Sequence, residues 1–126
     1  MASLRLKQLV CNDTAQNFSM DHVLLKWKID EEKQYTRVMA PTLMDDDEGP
    51  LSKLIIDKET TFENVVEVRL YEFDVKTDPD DFLEPNDSEN GSIQIMASDK
   101  GQHVRAFKGG FPLYSSYDYE LHYEVS

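Results

Sequence analysis

The sequence has few of the residues from which cofactor and nucleophile sites are built. Its 126 residues include one cysteine, three histidines and five glycines. With Cys11 alone no internal disulfide is possible, so the fold must rest on a hydrophobic core. The histidines lie in separate segments, without zinc or copper spacing and without a nucleophilic triad, and there is no glycine-rich phosphate loop. We therefore expect a protein that is not an enzyme.

Basic residues and long apolar runs are also scarce. There are 13 basic residues against 25 acidic ones, a formal net charge of −12, so phosphate backbones would repel the chain. Nucleic acid is therefore not an expected partner. No run approaches the roughly 20 apolar residues of a membrane span, and the first residues lack the pattern of a signal peptide. The sequence predicts a cytoplasmic protein without a transmembrane segment.

Hydrophobic alternation with period two is the main pattern that is present. In "SYDYELHYEV" every second residue from Tyr117 to Val125 is apolar or aromatic, and the residues between are acidic or histidine. This pattern predicts a strand with one buried face. The segments "HVLLKWKI" and "NVVEVRLYEF" alternate in the same way. Five further strands are predicted at residues 4–10, 34–39, 52–56, 92–97 and 103–107.

Eight short strands separated by turn sequences define the predicted fold class. The turns include "DDDEGP", "ENGS", "DKGQ" and "KGGFP". This succession predicts an all-β fold, an antiparallel eight-stranded β-sandwich. At this length, with 40% hydrophobic residues, the chain has enough apolar material for one core, so we expect a single domain spanning residues 1–126.

Acidic residues concentrate in the loops. Residues 71–90, "YEFDVKTDPDDFLEPNDSEN", contain eight acidic side chains and one lysine. Loops of a sandwich alternate between its two ends, and the predicted strands put loops 12–21, 41–50 and 72–90 at one end. Carboxylates about 4 Å apart repel by on the order of 4 kcal/mol per pair at an effective dielectric constant near 20. A divalent cation reverses that balance, and ligands that are all oxygen favour Ca²⁺. The other interpretation is a hydrated acidic surface.

Two segments together resemble a known family. "MDHVLLKW" with "VEVRLYEFDVKTDPDDFL" resembles the calcium-binding end of C2-like domains, most closely that of small bacterial C2-like proteins. In those domains an Asp precedes an alternating strand, and a later strand ends in an Asp-x-Asp pair followed by another Asp. The resemblance implies a C2-like sandwich with Ca²⁺ as cofactor. The ligands it implies are Asp21, Glu72, Asp74 and either Asp80 or Asp81, with Asp13 as a further candidate.

The sequence departs from the family pattern at three places. Glu72 replaces the expected Asp, Ala15 stands where another Asp is usual, and Glu84 followed by Pro85 stands where the family has Gly. Asp13 would have to substitute for the acid missing at position 15. These departures favour one bound ion over a cluster of two or three.

The resemblance implies a non-catalytic calcium-binding module that presents a surface to a phospholipid membrane or to another protein. An alternative is a metal-independent acidic protein of the inhibitor or immunity type, which would use its negative face to occupy a basic site. A sugar-binding sandwich with a structural ion is a third possibility. Lys26, Lys28 and Arg69 either form a basic patch on an outer sheet face or serve solubility alone.

Overall fold

The structure is a computed structural model, and it describes residues 1–13, 21–45, 49–72, 89–109 and 117–126. These ranges contain nine strands and one short 3₁₀ helix, Pro50–Ser52. The strands are β1 (Ala2–Asp13), β2 (Asp21–Ile29), β3 (Thr36–Arg37), β4 (Thr42–Met44), β5 (Lys53–Phe62), β6 (Val65–Glu72), β7 (Glu89–Met96), β8 (Gly101–Gly109) and β9 (Tyr117–Val125).

The strands form two antiparallel sheets. The first sheet has the order β5–β1–β9–β8, and the second has the order β3–β2–β6–β7, with β4 also paired to β2. The predicted antiparallel sandwich is confirmed, but the predicted count of eight strands is wrong. The additional strand is β4, which lies inside the predicted loop 41–50. Three residues are too few for alternation to be visible in the sequence, and β4 exists because it pairs with β2.

One hydrophobic core joins the two sheets. The alternation predicted for the last strand is confirmed, because Tyr119, Leu121, Tyr123 and Val125 are each at most 2% exposed while their neighbours are not buried. Buried side chains from β1, β5, β8 and β9 pack in a single cluster with those from β2, β6 and β7. Within the described ranges, no helix has the length and hydropathy needed to cross a bilayer.

Asp30 stabilises the turn between β5 and β6, where the chain passes from the first sheet to the second. It follows β2 in a left-handed conformation, with φ 51°. Its carboxylate accepts backbone N–H bonds from Glu63 at 2.8 Å, Asn64 at 2.6 Å and Val65 at 3.0 Å. These residues form the turn between β5 and β6. The bonds from Glu63 and then Asn64 lower the pKa of Asp30 below its ordinary value, because a carboxylate accepts them best when ionised.

We predict that Asp30→Gly lowers the melting temperature by several degrees, because three backbone N–H groups lose their acceptor. Asp57→Gly is the matched control. Asp57 also has a left-handed backbone, with φ 50°, but its carboxylate makes an exposed ion pair with Arg5, and such pairs contribute little. Equal losses in both variants in thermal unfolding would contradict the role given to Asp30.

The difference between wild type and Asp30→Gly should also depend on pH in a defined direction. A lowered folded-state pKa means that Asp30 stabilises the fold fully above its ordinary pKa of 3.8, and that this contribution disappears as the pH falls through the folded value. Melting curves of the two proteins should therefore converge in strong acid and differ most at neutral pH.

Candidate functional site

Three strands of the second sheet begin or end with an acidic residue at the same end of the sheet. Asp21 begins β2 and Glu72 ends β6, and the pairing of Val23 with Glu72 makes these termini neighbours. On the other flank of β2, Asp21 pairs with Met44 at the end of β4. Beyond β6, Glu89 begins β7 opposite Tyr71. We call this end of the molecule the acidic pole.

The first sheet contributes to the same pole. The N–H of Asp45, just after β4, bonds the carbonyl of Leu51 at 3.0 Å, and Leu51 leads directly into the start of β5. That start pairs with the end of β1, through Val10 and Lys53. The ends of β1 and β4 therefore lie on one side of the molecule, and Asp13, which pairs with Asp118 at the start of β9, belongs to the acidic pole.

Most of the net charge belongs to segments attached at this pole. Residues 45–48 and 72–89, together with Asp13 and Asp21, contain 14 of the 25 acidic residues but one of the 13 basic residues. The remaining 11 acidic and 12 basic residues nearly cancel. Along the sequence, the net negative charge therefore belongs almost entirely to the strand ends of the acidic pole and to the segments that connect them, while the rest of the chain is nearly neutral.

The structure locates three of the six candidate ligands. Asp21 and Glu72 end neighbouring strands of the second sheet, and Asp13 ends a strand of the first sheet at the same pole. Asp74, Asp80 and Asp81 lie outside the described residues. Among the described residues there is no group of three or more acidic, histidine or cysteine side chains that could hold a metal. The ligand set therefore stays a prediction.

A second charged feature crosses the outer face of the second sheet. Lys26 of β2 pairs with Arg37 of β3 on one side and with Arg69 of β6 on the other. Directly opposed residues of an antiparallel pair share a face, so the three cations form one row across three strands, which we call the cationic row. Arg37 was missed from the sequence, since only the strand register reveals its position.

Aromatic rings accompany these cations. The Nζ of Lys26 lies 4.7 Å from the ring centroid of Tyr71, and the guanidinium carbon of Arg69 lies 4.3 Å from that of Tyr35. The Nζ of Lys28 lies 5.1 Å from the same Tyr35 ring. The electron-rich ring faces attract cations and offset part of the repulsion within the row. Lys26 is on the outer face as predicted, yet it is 8% exposed because the ring of Tyr71 covers it.

Tyr35 and Glu67 complete this surface. Burial, and after it the neighbouring Glu67 carboxylate, raises the pKa of Tyr35 to about 12, so its ring stays a neutral phenol in physiological conditions. Glu67 lies 3.1 Å from the Nε of Arg69 and holds that guanidinium in place. The arrangement can bind an anion, because guanidinium and ammonium groups donate charge-assisted hydrogen bonds to phosphate and carboxylate oxygens.

The fold is similar to that of C2 domains of known structure. One match, a structure of a C2 domain, has a TM-score of 0.55 at 11% sequence identity and covers 100% of this chain and 99% of the other. The C2A domain of plant extended synaptotagmin 1 matches with a TM-score of 0.56 at 12% identity, covering 98% and 92%. Neither a protein-family model nor a curated protein matches the sequence. The structural matches confirm the predicted C2-like sandwich and concern the fold alone.

We predict that Lys26→Met leaves the free energy of unfolding unchanged or raises it by up to about 1 kcal/mol, because a cation opposite two others is replaced by an apolar side chain of similar length. Lys28→Met is the matched control. Lys28 pairs with Glu67, so its removal should cost a little stability. Urea unfolding measures both, and a large loss in Lys26→Met alone would show that Lys26 serves the fold rather than a ligand.

Proposed function

We propose that this protein is a non-catalytic, calcium-binding C2-like module. The observation that carries the proposal is that Asp21 and Glu72 end two hydrogen-bonded neighbouring strands at the pole to which most of the net charge is attached. Ca²⁺ suits such a site because it accepts six to eight oxygen ligands in flexible geometry. The proposed ligands are Asp21, Glu72 and Asp74, with Asp80 or Asp81 and with Asp13.

Calcium binding would act through electrostatics. Without the ion, the carboxylates of the acidic pole repel one another. With the ion, they share a common counter-charge, and the pole becomes less negative as a whole. An ion that binds only the folded state stabilises it by about 2.7 kcal/mol at one hundred times the dissociation constant. Neutralising the pole would also let an anionic surface approach that the bare protein repels.

We further propose an anionic phospholipid surface as the partner. The cationic row supports this part of the proposal, because it aligns Arg37, Lys26 and Arg69 on one outer face of a protein that is otherwise acidic. Arg37 and Arg69, the two accessible members of the row, would contact phosphate and carboxylate groups of lipid headgroups, each contributing on the order of 1 kcal/mol near a negatively charged membrane. The calcium pole and the cationic row would then be two contacts of one module.

The alternative is a metal-independent acidic protein that occupies a basic partner through the same pole. It is a second candidate because residues 45–48 and 72–89, together with Asp13 and Asp21, contain 14 of the 25 acidic residues. Its binding would weaken steeply with salt and would not respond to a chelator. Calcium-dependent binding would respond to the chelator.

We predict that millimolar Ca²⁺ raises the melting temperature by about 10 °C, which is what a stabilisation of about 2.7 kcal/mol produces in a domain of this size. Mg²⁺ should act less, since it demands strict octahedral geometry and retains its water. The measurement is a thermal melt in chelator, in Ca²⁺ and in Mg²⁺.

Two variants make the calcium experiment specific. Asp21→Asn should abolish most of the calcium-dependent shift, because it removes a charged ligand from the pole. Glu31→Gln removes one charge from the opposite end, just after β2, and should retain the full shift. If wild type shows no shift, or if both variants lose it equally, the calcium site is wrong.

We predict that the protein co-sediments with vesicles containing phosphatidylserine and not with vesicles of phosphatidylcholine alone. Arg37→Met should weaken this binding about fivefold, the effect of losing about 1 kcal/mol from one cation at the surface, because Arg37 is the exposed member of the row. Lys58→Met, on β5 of the first sheet, is the control and should bind like wild type. Equal binding to both vesicle types, or equal weakening by both variants, would exclude the cationic row as a lipid contact.

A further inference from the structure

One edge of the second sheet is formed by a segment without charge. β7 is the last strand in the order β3–β2–β6–β7, so it has one free edge among the described strands. Residues 90–98, "NGSIQIMAS", contain no charged side chain, although 30% of the residues in the chain are charged. An uncharged edge strand with alternating Ile93 and Ile95 is the kind of segment that pairs with a strand of another molecule.

Some backbone groups of β7 on this free edge are already hydrogen-bonded. In an antiparallel pair, alternate residues direct their backbone groups to opposite sides of the strand. The N–H of Ala97 donates to the carbonyl of Asn64 at 2.9 Å, on the β6 side, so Gln94 and Met96 direct theirs to the free edge. The N–H of Met96 donates to Oδ2 of Asp99 at 2.9 Å, and the carbonyl of Met96 accepts the N–H of Asp99 at 3.0 Å.

Arg105 of β8 covers the next position along the edge. Its Nη1 donates to the carbonyl of Gln94 at 2.7 Å, although β8 belongs to the first sheet. An approaching strand would have to displace a charged guanidinium from the carbonyl that it needs for pairing. Charged side chains at a sheet edge are a common means by which proteins prevent edge-to-edge association.

A series of contacts between β7 and β8 holds Arg105 in place. Burial raises the pKa of Tyr123, and a hydrogen bond with the Arg105 guanidinium opposes that rise. The Tyr123 ring stacks with His103, with centroids 5.1 Å apart and an interplanar angle of 25°. The Nε2 of His103 lies 2.8 Å from the carbonyl of Asp99, and because a carbonyl only accepts, this nitrogen carries the hydrogen. The contacts therefore connect the two residues that bond the edge of β7.

The long edge strand of the first sheet, β5, carries its own charges. Strand pairing aligns a row across the outer face of this sheet, Val104 of β8, His122 of β9, Gln8 of β1 and Ile55 of β5. Ile55 is 71% exposed and Val104 is 56% exposed. Charged residues flank the row, Arg5 and Glu124 on one side and Lys53 and Glu120 on the other. β5 itself contains Lys53, Asp57, Lys58 and Glu59. Residues 90–98 of β7 contain no such charge, so their protection must come from other elements.

We infer that Arg105 and Asp99 block strand pairing at the free edge of β7, and that without the Arg105 guanidinium this edge pairs with β7 of a second copy. This inference does not depend on the proposed function. A twofold axis makes the two copies of β7 antiparallel. With Gln94 at the axis, its N–H and carbonyl bond those of Gln94 of the second copy, and Ile93 faces Ile95 of the second copy. Each copy presents the same uncharged segment, so no charge within it opposes the pairing.

Sedimentation equilibrium over a range of concentrations tests this role of Arg105. Wild type should remain the 14.6 kDa monomer up to several hundred micromolar. Arg105→Leu should self-associate at least about tenfold more strongly, which corresponds to about 1.4 kcal/mol. Arg5→Leu is the matched control, because it removes the same charge from an exposed ion pair with Asp57 on an inner strand, β1. Arg5→Leu should stay monomeric.

A lysine placed on β7 tests which edge pairs. In the Arg105→Leu protein, Gln94→Lys sets two ammonium groups opposite each other at the twofold axis, and like charges directly opposed destabilise a strand pair. The double variant should therefore return to the monomer. Gln8→Lys in the same background gives the same net charge but lies on β1, and this protein should still associate.

Thermal melts establish that each variant is folded. Arg105→Gln shortens the side chain and keeps it polar, and it takes the place of Arg105→Leu in every comparison if the leucine variant does not fold. Self-association of wild type, a variant of Arg105 that stays monomeric, or equal association of Arg5→Leu would overturn the inference. Association that Gln94→Lys does not reverse, or that Gln8→Lys reverses equally, would overturn it as well.

Discussion

The register of β2 against β6 is the constraint on which the rest of the molecule depends. Burying Val66, Val68 and Leu70 of β6 on the same side as Val23 of β2 excludes a slip of one residue, because such a slip would turn every buried side chain of a strand to the outside. The same alignment brings Asp21 and Glu72 to neighbouring strand ends, opposes Lys26 to Arg69, and carries Asp30 to the turn between β5 and β6.

Acidic and basic residues are segregated in this chain. Most acidic residues belong to the segments that connect strands at the acidic pole, and the cationic row crosses the outer face of the second sheet. Neither arrangement serves folding by itself, since like charges at neighbouring positions destabilise the folded state. Tyr35 and Tyr71 reduce that cost for the cationic row. At the acidic pole, Asp118 pairs with Lys108 at 3.7 Å.

Both sheets bury an apolar face in the common core, but their outer faces differ in chemistry. The second sheet exposes cations over aromatic rings, and the first sheet exposes an apolar-walled row between charged rows. Each outer face follows from the same alternation that builds the core, because every second residue is free of the requirement to be apolar. The chemistry of each outer face can therefore vary without altering the core between the sheets.

The sequence by itself determined eight of the nine described strands, their buried faces and the acidic character of the loops, because period-two alternation and local charge are properties of neighbouring residues. It also placed Lys26 and Arg69 on an outer face. It missed β4, which forms only by pairing with β2, and it missed Arg37, which joins the cationic row only through the pairing of β3. The tertiary structure decided three other features. They are the burial of Lys26 beneath Tyr71, the hydrogen bonds from the backbone of residues 63–65 to Asp30, and the row from Val104 to Ile55. Each of them joins residues far apart in the chain, and register and sheet order, rather than local pattern, set such contacts.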